Sequence, residues 1–279
     1  MDGERPRPGE QAALWNGGGG RGWVALQELI DRVFQPIENL LADAVSPGTT
    51  NRVLDVGCGT GGTTVAVARR LGAGSATGID ISEAMIAAAR RRAKPEGSSV
   101  TFIVGDAQTD PLEPGGFDAI VSRFGVMFFD DPIEAFANLR RAASAGALLR
   151  LVAWRSAAEN PFMTTAERAA SPLLPDLPAR RPGEPGQFAF AEPSRVRRIL
   201  EESGWSEIDI QPIDVPCAMP ESALVPYLTE MGPVGRILQQ ADDELRARVV
   251  ATVRPAFDPY VHGAEVRFKA ACWTVGARA

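Results

Sequence analysis

The sequence has one histidine, three cysteines and no apolar run near the roughly 20 residues that a membrane-spanning helix requires. Cys58, Cys217 and Cys272 are odd in number, far apart and without metal-ligand spacing. That argues against a disulfide framework or a structural zinc, and for a reducing, cytoplasmic location. The opening "MDGERPRPGEQ" carries no apolar core of the kind a secretory signal needs. Net charge is −6 and no block of Lys and Arg interrupts the chain, so no nucleic-acid footprint is visible. The short run "RRILEESGW" reads as one charged helix face, and no internal repeat is apparent. What remains is an ordinary globular composition, 45% hydrophobic and 23% charged, in 279 residues: enough for one large α/β domain or a domain plus a cap.

The middle third alternates between strand and helix patterns. "RVLDVG" (52–57), "SATGIDI" (75–81), "SVTFIVGDA" (99–107), "FDAIVSRF" (117–124) and "ALLRLVAW" (147–154) read as strands. Between them lie "GGTTVAVARRLG" (61–72), "SEAMIAAARRRA" (82–93) with Ser82 placed to cap it, and "DPIEAFANLRRAA" (131–143) with Asp131 as cap and Pro132 in the first turn. Strands joined by such helices predict a parallel, doubly wound sheet with ligands outside the carboxyl ends of its strands. Around this core, residues 23–45 suggest one or two amphipathic helices. Residues 155–193 are Pro-rich and not expected to be regular throughout, reading as a loop-rich cap or excursion. A helix at 193–205, a strand at 206–216, helices within 221–257 and a last strand at 264–278 follow.

The first strand ends in "LDVGCGTGG", with glycines at 57, 59, 61 and 62. The spacing Gly57-x-Gly59-x-x-Gly62 is compatible with a dinucleotide, because glycine lets backbone approach a ligand closely. The acids decide more. Asp55, Asp80 and Asp106 fall at three consecutive strand ends. A pyrophosphate favours a bare helix N-terminus and one distant acid. Three carboxylates suit a ligand with hydroxyls, amines and a positive centre, such as S-adenosylmethionine (SAM).

Several motifs in order carry a more specific resemblance. "VLDVGCGTGG", "GIDISEAMIAAA" and "VGDAQTDPLEPGGFDAIVSRFGVMFFDDP" resemble the successive motifs of class I SAM-dependent methyltransferases over about residues 51–154. The flanks "LWNGGGGRGWVALQELID" and "VAWRSAAENPF" are similar to a bacterial group acting on small molecules. "ASAGALLRL" departs from the Pro-Gly-Gly turn usual before the fifth strand. The resemblance implies a Rossmann-like, mostly parallel seven-stranded sheet. It also implies an N-terminal helical lid (1–50), a SAM-binding core (51–154), a Pro-rich cap (155–192), and a C-terminal part (193–279) with a helical substrate-cap insertion (221–257).

By the same resemblance Gly57, Cys58, Gly59 and Gly61 would line the methionine portion of SAM. Asp55 would support the loop or reach the ammonium through its neighbours. Asp80 would accept from the ribose hydroxyls, Ile81 and Met85 would lie against the adenine, and Asp106 and Ala107 would meet its edge. Ser122 and Arg123 would border the methyl-bearing end. For the acids, capping of a turn or helix is the competing reading. Arg123 could clamp an anionic substrate group or pair with a nearby acid. His262, in "PYVHGAEV", reads as a turn histidine or as a general base. Trp15 reads as a lid residue, and Trp23, Phe124, Met127, Phe128 and Trp154 as pocket wall or packing.

A sulfonium methyl is already activated, so alignment in a dry pocket does most of the work and the lack of an obvious catalytic dyad is no objection. After the fourth strand the chain reads "SRFGVMFF", not the Asn/Asp-Pro-Pro-aromatic motif of nucleic-acid amino methyltransferases, and "ENPF" (159–162) falls after the fifth. The expected acceptor is an O, N or C atom of a small metabolite, aromatic or isoprenoid, with the enzyme a monomer or homodimer and no nucleic acid, metal or membrane span involved. A non-catalytic SAM-binding protein and an NAD(P)-dependent oxidoreductase stay open as alternatives.

Overall fold

The computed structural model describes residues 9–279 apart from 46, 47, 49 and 182; residues 1–8 of the expected lid lie outside this set. Three helices precede the first strand: α1 (Glu10–Asn16), α2 (Gly18–Ala25) and α3 (Gln27–Asp43). In α3 the residues Ile30, Val33, Phe34, Ile37 and Leu41 recur at helical spacing and are all buried. The core then runs β1 (Arg52–Val56), α4 (Gly62–Leu71), β2 (Ser75–Asp80), α5 (Glu83–Arg92), β3 (Val100–Val104), β4 (Phe117–Arg123), α6 (Pro132–Ala142) and β5 (Ala143–Trp154). The Ser82 hydroxyl accepts from the Met85 N–H, and the Asp131 carboxylate accepts from the Ile133 and Glu134 N–H groups, so both predicted caps form.

The chain continues through α7 (Pro161–Ala170), α8 (Pro193–Glu202), β6 (Ser206–Pro220), α9 (Leu224–Glu230), α10 (Gly232–Leu238), α11 (Asp243–Val253), β7 (Val261–His262) and β8 (Glu265–Arg278). Strand order is β3-β2-β1-β4-β5-β8-β6. The first five strands pair in parallel, and β8 runs antiparallel between β5 and β6. The two-residue β7 turns back on β8, so the expected seven-stranded sheet gains an eighth short strand. Val53, Leu54, Asp55 and Val56 are buried in succession, the pattern of a strand covered on both faces.

Within the Pro-rich stretch 155–193, not expected to be regular throughout, α7 occupies Pro161–Ala170. Asn160 explains its placement: the side chain is fully buried, donates to the Ala271 carbonyl and accepts the Ala271 N–H, both at 2.9 Å, pinning the start of α7 to β8. Where the Pro-Gly-Gly turn is missing, Gly146 takes a left-handed conformation (φ 75°) and its N–H donates to the Ala279 carbonyl. The β4–β5 register shifts at the same place, Phe117 pairing with Ala143 and Ala119 with Leu148, so the extra residues lie in β5 around Gly146.

Helices α7 and α9–α11 pack together, and α2 touches α9 and α10. The N-terminal and C-terminal helices therefore meet over the carboxyl ends of the parallel strands.

Candidate functional site

A cavity of about 800 Å³ opens where β1 ends. One half is walled by Asp55, Gly57, Cys58, Gly59, Asp80, Ile81, Met85, Asp106 and Ala107, under Trp15 of the lid. The other half is aromatic and reaches the C-terminal helices.

Asp80 sits at the centre of the first half. It is 7% exposed; one carboxylate oxygen accepts the Gly59 N–H at 2.8 Å and the other the Ser82 N–H at 2.9 Å. A carboxylate offers about four lone-pair sites, so acceptor capacity remains for two hydroxyls. Burial raises its pKa against those backbone donors.

Asp55 lies deeper, at 1% exposure. The Thr64 hydroxyl donates to one oxygen at 2.6 Å, which ties the strand end to α4; the other oxygen is buried without a partner. Burial dominates and pushes its pKa up to about 7, with Thr64 and Arg123 opposing. Because this folded-state pKa lies above the unfolded one, the stability Asp55 contributes is present below about pH 4 and lost as pH rises through about 7. Glu38 and Asp80 shift in the same direction. Through Asp55 the ligand-free protein is therefore expected to lose about 2–3 kcal/mol of unfolding free energy between pH 5 and 7, and Asp55→Asn to remove that part of the slope. Urea unfolding at both pH values checks this; an unchanged slope in the variant would refute the assignment.

Asp106 caps a turn, accepting the Gln108 N–H at 2.9 Å, while lining the cavity beside the buried Ala107. The Cys58 thiol is pushed up by burial and by Asp80 and Asp55, and stays protonated. Lid helix α1 is tied directly to the Asp80 loop. The Ser82 hydroxyl donates to the Trp15 carbonyl at 2.7 Å, and Asn16 bridges the Ile81 carbonyl and the Glu83 N–H. The Trp15 ring meets Phe128 edge-on at 4.9 Å.

Other expected site residues fall elsewhere. Ser122 does not line the cavity; its hydroxyl donates to the Val56 carbonyl and accepts the Gly125 N–H, bracing β1 against β4. Gly61 also lies behind the wall, as the left-handed cap of α4, where a Cβ would stand 2.6 Å from the Phe102 ring. His262 is exposed in β7 and lies outside the cavity wall. Arg123 reaches the wall, but its guanidinium lies 4.0 Å from Asp31 and 3.9 Å from Glu38 of α3. Asp31 is held in turn by Arg92 at 2.6 Å. Four charges thus fasten the lid to the core, and Glu38 is raised chiefly by burial.

The aromatic half joins the expected Phe124 and Trp154 to residues that no sequence spacing announced. Trp154 stacks on Phe124 at 4.6 Å, with Phe34 edge-on to both. Phe162, Met163, Tyr227, Met231 and Phe257 complete it from α7, α9 and beyond. Only Phe162 carried a signal, as the aromatic of "ENPF", and Asn160 beside it is the structural anchor.

A parallel sheet in this order, with a glycine turn and strand-end acids at its carboxyl edge, defines a Rossmann-like nucleotide-binding domain of the class I methyltransferase type. Residues 53–146 match the family model described as a methyltransferase domain. The chain is 36% identical over 107 residues to the aklanonic acid methyltransferase of Streptomyces sp. strain C5, a match spanning 38% of this chain and 49% of that enzyme. It is 28% identical over 163 residues to the demethylmenaquinone methyltransferase of Thermus thermophilus, covering 56% of this chain and 74% of that one. The YcgJ protein of Bacillus subtilis shares the fold, with a TM-score of 0.58, 16% identity, and coverage of 88% and 98%. Residues 53–146 thus carry a methyltransferase domain, set in the fold that the chain shares with that solved structure.

The residues present fit SAM as the cofactor. Asp55 keeps a buried oxygen without a donor, as an ammonium would require, and Asp80 keeps acceptor capacity for a ribose. With Asp106 and Asp130 also in the wall, the same surface would repel a pyrophosphate.

Proposed function

We propose that this protein methylates a small apolar metabolite enclosed between its lid and its C-terminal helices. The observation that carries the reading is one continuous cavity, acidic beside the glycine turn and aromatic at its other end. SAM supplies a methyl already activated by its sulfonium. The chain's own contribution is to hold and align. Asp80 takes the ribose, Ile81 and Met85 lie against the adenine with Asp106 and Ala107 at its edge, and Asp55 takes positive charge behind the glycine turn. Trp15, Phe124 and Trp154 exclude water around the reacting centre. Orientation of this kind is worth on the order of 7–11 kcal/mol. The aromatic chamber suits a planar or isoprenoid body, in line with the acceptors named for the relatives above.

Titration calorimetry with S-adenosylhomocysteine tests the cofactor half of this reading, and a panel of polyketide acids and quinones, scored for products one methyl heavier, tests the other. No binding of S-adenosylhomocysteine would sink it; binding with no product across the panel would favour the non-catalytic alternative. His262→Ala is expected to leave turnover within about twofold of wild type, since general-base removal typically costs 10²–10⁴-fold.

A further inference from the structure

The cavity is also lined by a cation that no described residue satisfies. Arg236 of α10 reaches its wall, and among the described residues its guanidinium makes no hydrogen bond or ion pair. Its stem packs where a Cβ on Gly18 would lie 3.6 Å away, so the side chain runs between the lid and the C-terminal helices. The acid whose field acts on it, Glu167, is already taken: both of its oxygens accept from Arg180, one of them at 2.9 Å. Arg180 also lies over the Phe188 ring at 4.7 Å and donates to Gln187. Burial lowers the Arg236 pKa, with Glu167 opposing and Arg180 adding to the effect. An arginine stays charged under any of these conditions. A half-buried cation in a cavity that Phe162, Met163, Tyr227 and Phe257 also line, with Glu167 engaged by Arg180, is a cost unless a ligand supplies the counter-charge.

We infer that Arg236 is a specificity-determining residue that receives a carboxylate on the methyl acceptor, whose apolar body fills the aromatic chamber. The inference rests on the methyltransferase reading of the same cavity and adds a sign of charge to it. A planar guanidinium engages a carboxylate through two parallel hydrogen bonds, which would fix the direction in which the acceptor enters. Arg236, Arg180 and Glu167 then form, with the ligand, a neutral group of two cations and two anions.

The test uses two fluorescent probes of one shape, 1-pyrenebutyrate and the neutral 1-pyrenebutanol, titrated into protein saturated with S-adenosylhomocysteine. Wild type is expected to bind the acid about 10-fold or more tightly than the alcohol, the scale of one charge-assisted contact. Arg236→Gln should abolish that preference by weakening the acid alone, and Arg236→Lys should restore part of it. Equal affinity of wild type for both probes, no detectable binding of the acid, or equal weakening of both probes in Arg236→Gln would overturn the inference. The first two outcomes need only wild-type protein, so a poorly folding variant leaves the test intact. Failure of S-adenosylhomocysteine itself to bind would instead count against the cofactor assignment.

Discussion

Asp80→Ala is expected to weaken S-adenosylhomocysteine binding by roughly 30–700-fold, or about 2–4 kcal/mol, the scale of two hydrogen bonds to a charged acceptor. The same change orphans the Gly59 and Ser82 N–H groups, which now donate to the carboxylate at 2.8 and 2.9 Å. Each buried donor left unpaired costs about 1–3 kcal/mol. Two measurements separate the effects: calorimetric affinity on folded protein, and denaturant unfolding without ligand. Asp80→Asn keeps an acceptor and should lose affinity about tenfold, with a smaller loss of stability. An unchanged dissociation constant in Asp80→Ala would show that the ribose is not held there.

Gly57→Ala should damage the fold itself. Gly57 has φ 63°, and a Cβ there would stand 2.6 Å from the Gly125 Cα, backbone against backbone. Neither side can rotate away. Left-handed strain of about 1–2 kcal/mol and overpacking of about 1–3 kcal/mol together predict a loss of about 2–5 kcal/mol of stability. Gly59→Ala makes the contrast. Its φ is 55°, but the nearest atom to an added Cβ is the Met85 sulfur at 3.7 Å, an ordinary contact. That variant should stay within about 1–2 kcal/mol of wild type, yet bind S-adenosylhomocysteine more weakly, because the new methyl stands in the cavity wall. If both variants unfold alike, the two glycines do not divide the work in this way.

The sequence made the sheet legible because each strand and helix of the core announced itself locally. Ser82 and Asp131 are caps written beside the helices they start. Asp55, Asp80 and Asp106 were found because strand ends in such a fold share one edge. The placing of Ser122 was not legible, because a hydroxyl at a strand end can face the ligand or the next strand, and only the approach of Gly125 to Val56 sets its bonds. Arg123 stayed undivided between two roles for a related reason: Asp31 and Glu38 lie more than 80 residues earlier, on a helix whose docking no local pattern encodes. The aromatic chamber was the least legible part. Phe162, Tyr227, Arg236 and Phe257 converge from separate helices, and convergence of that kind is a property of packing, not of spacing.

The position of β8 between β5 and β6 also sets an order of assembly. Both neighbours are made before residues 265–278, yet they touch each other only through that strand. Until it arrives, β5 presents an open edge and β6 has no place in the sheet, the condition in which unpaired strands recruit foreign partners. The Asn160 side chain must likewise wait for Ala271, 111 residues later, before α7 can settle. A ribosome-bound chain would thus hold a formed glycine turn and an unfinished substrate chamber, and its interior would be sealed by the arrival of a late strand.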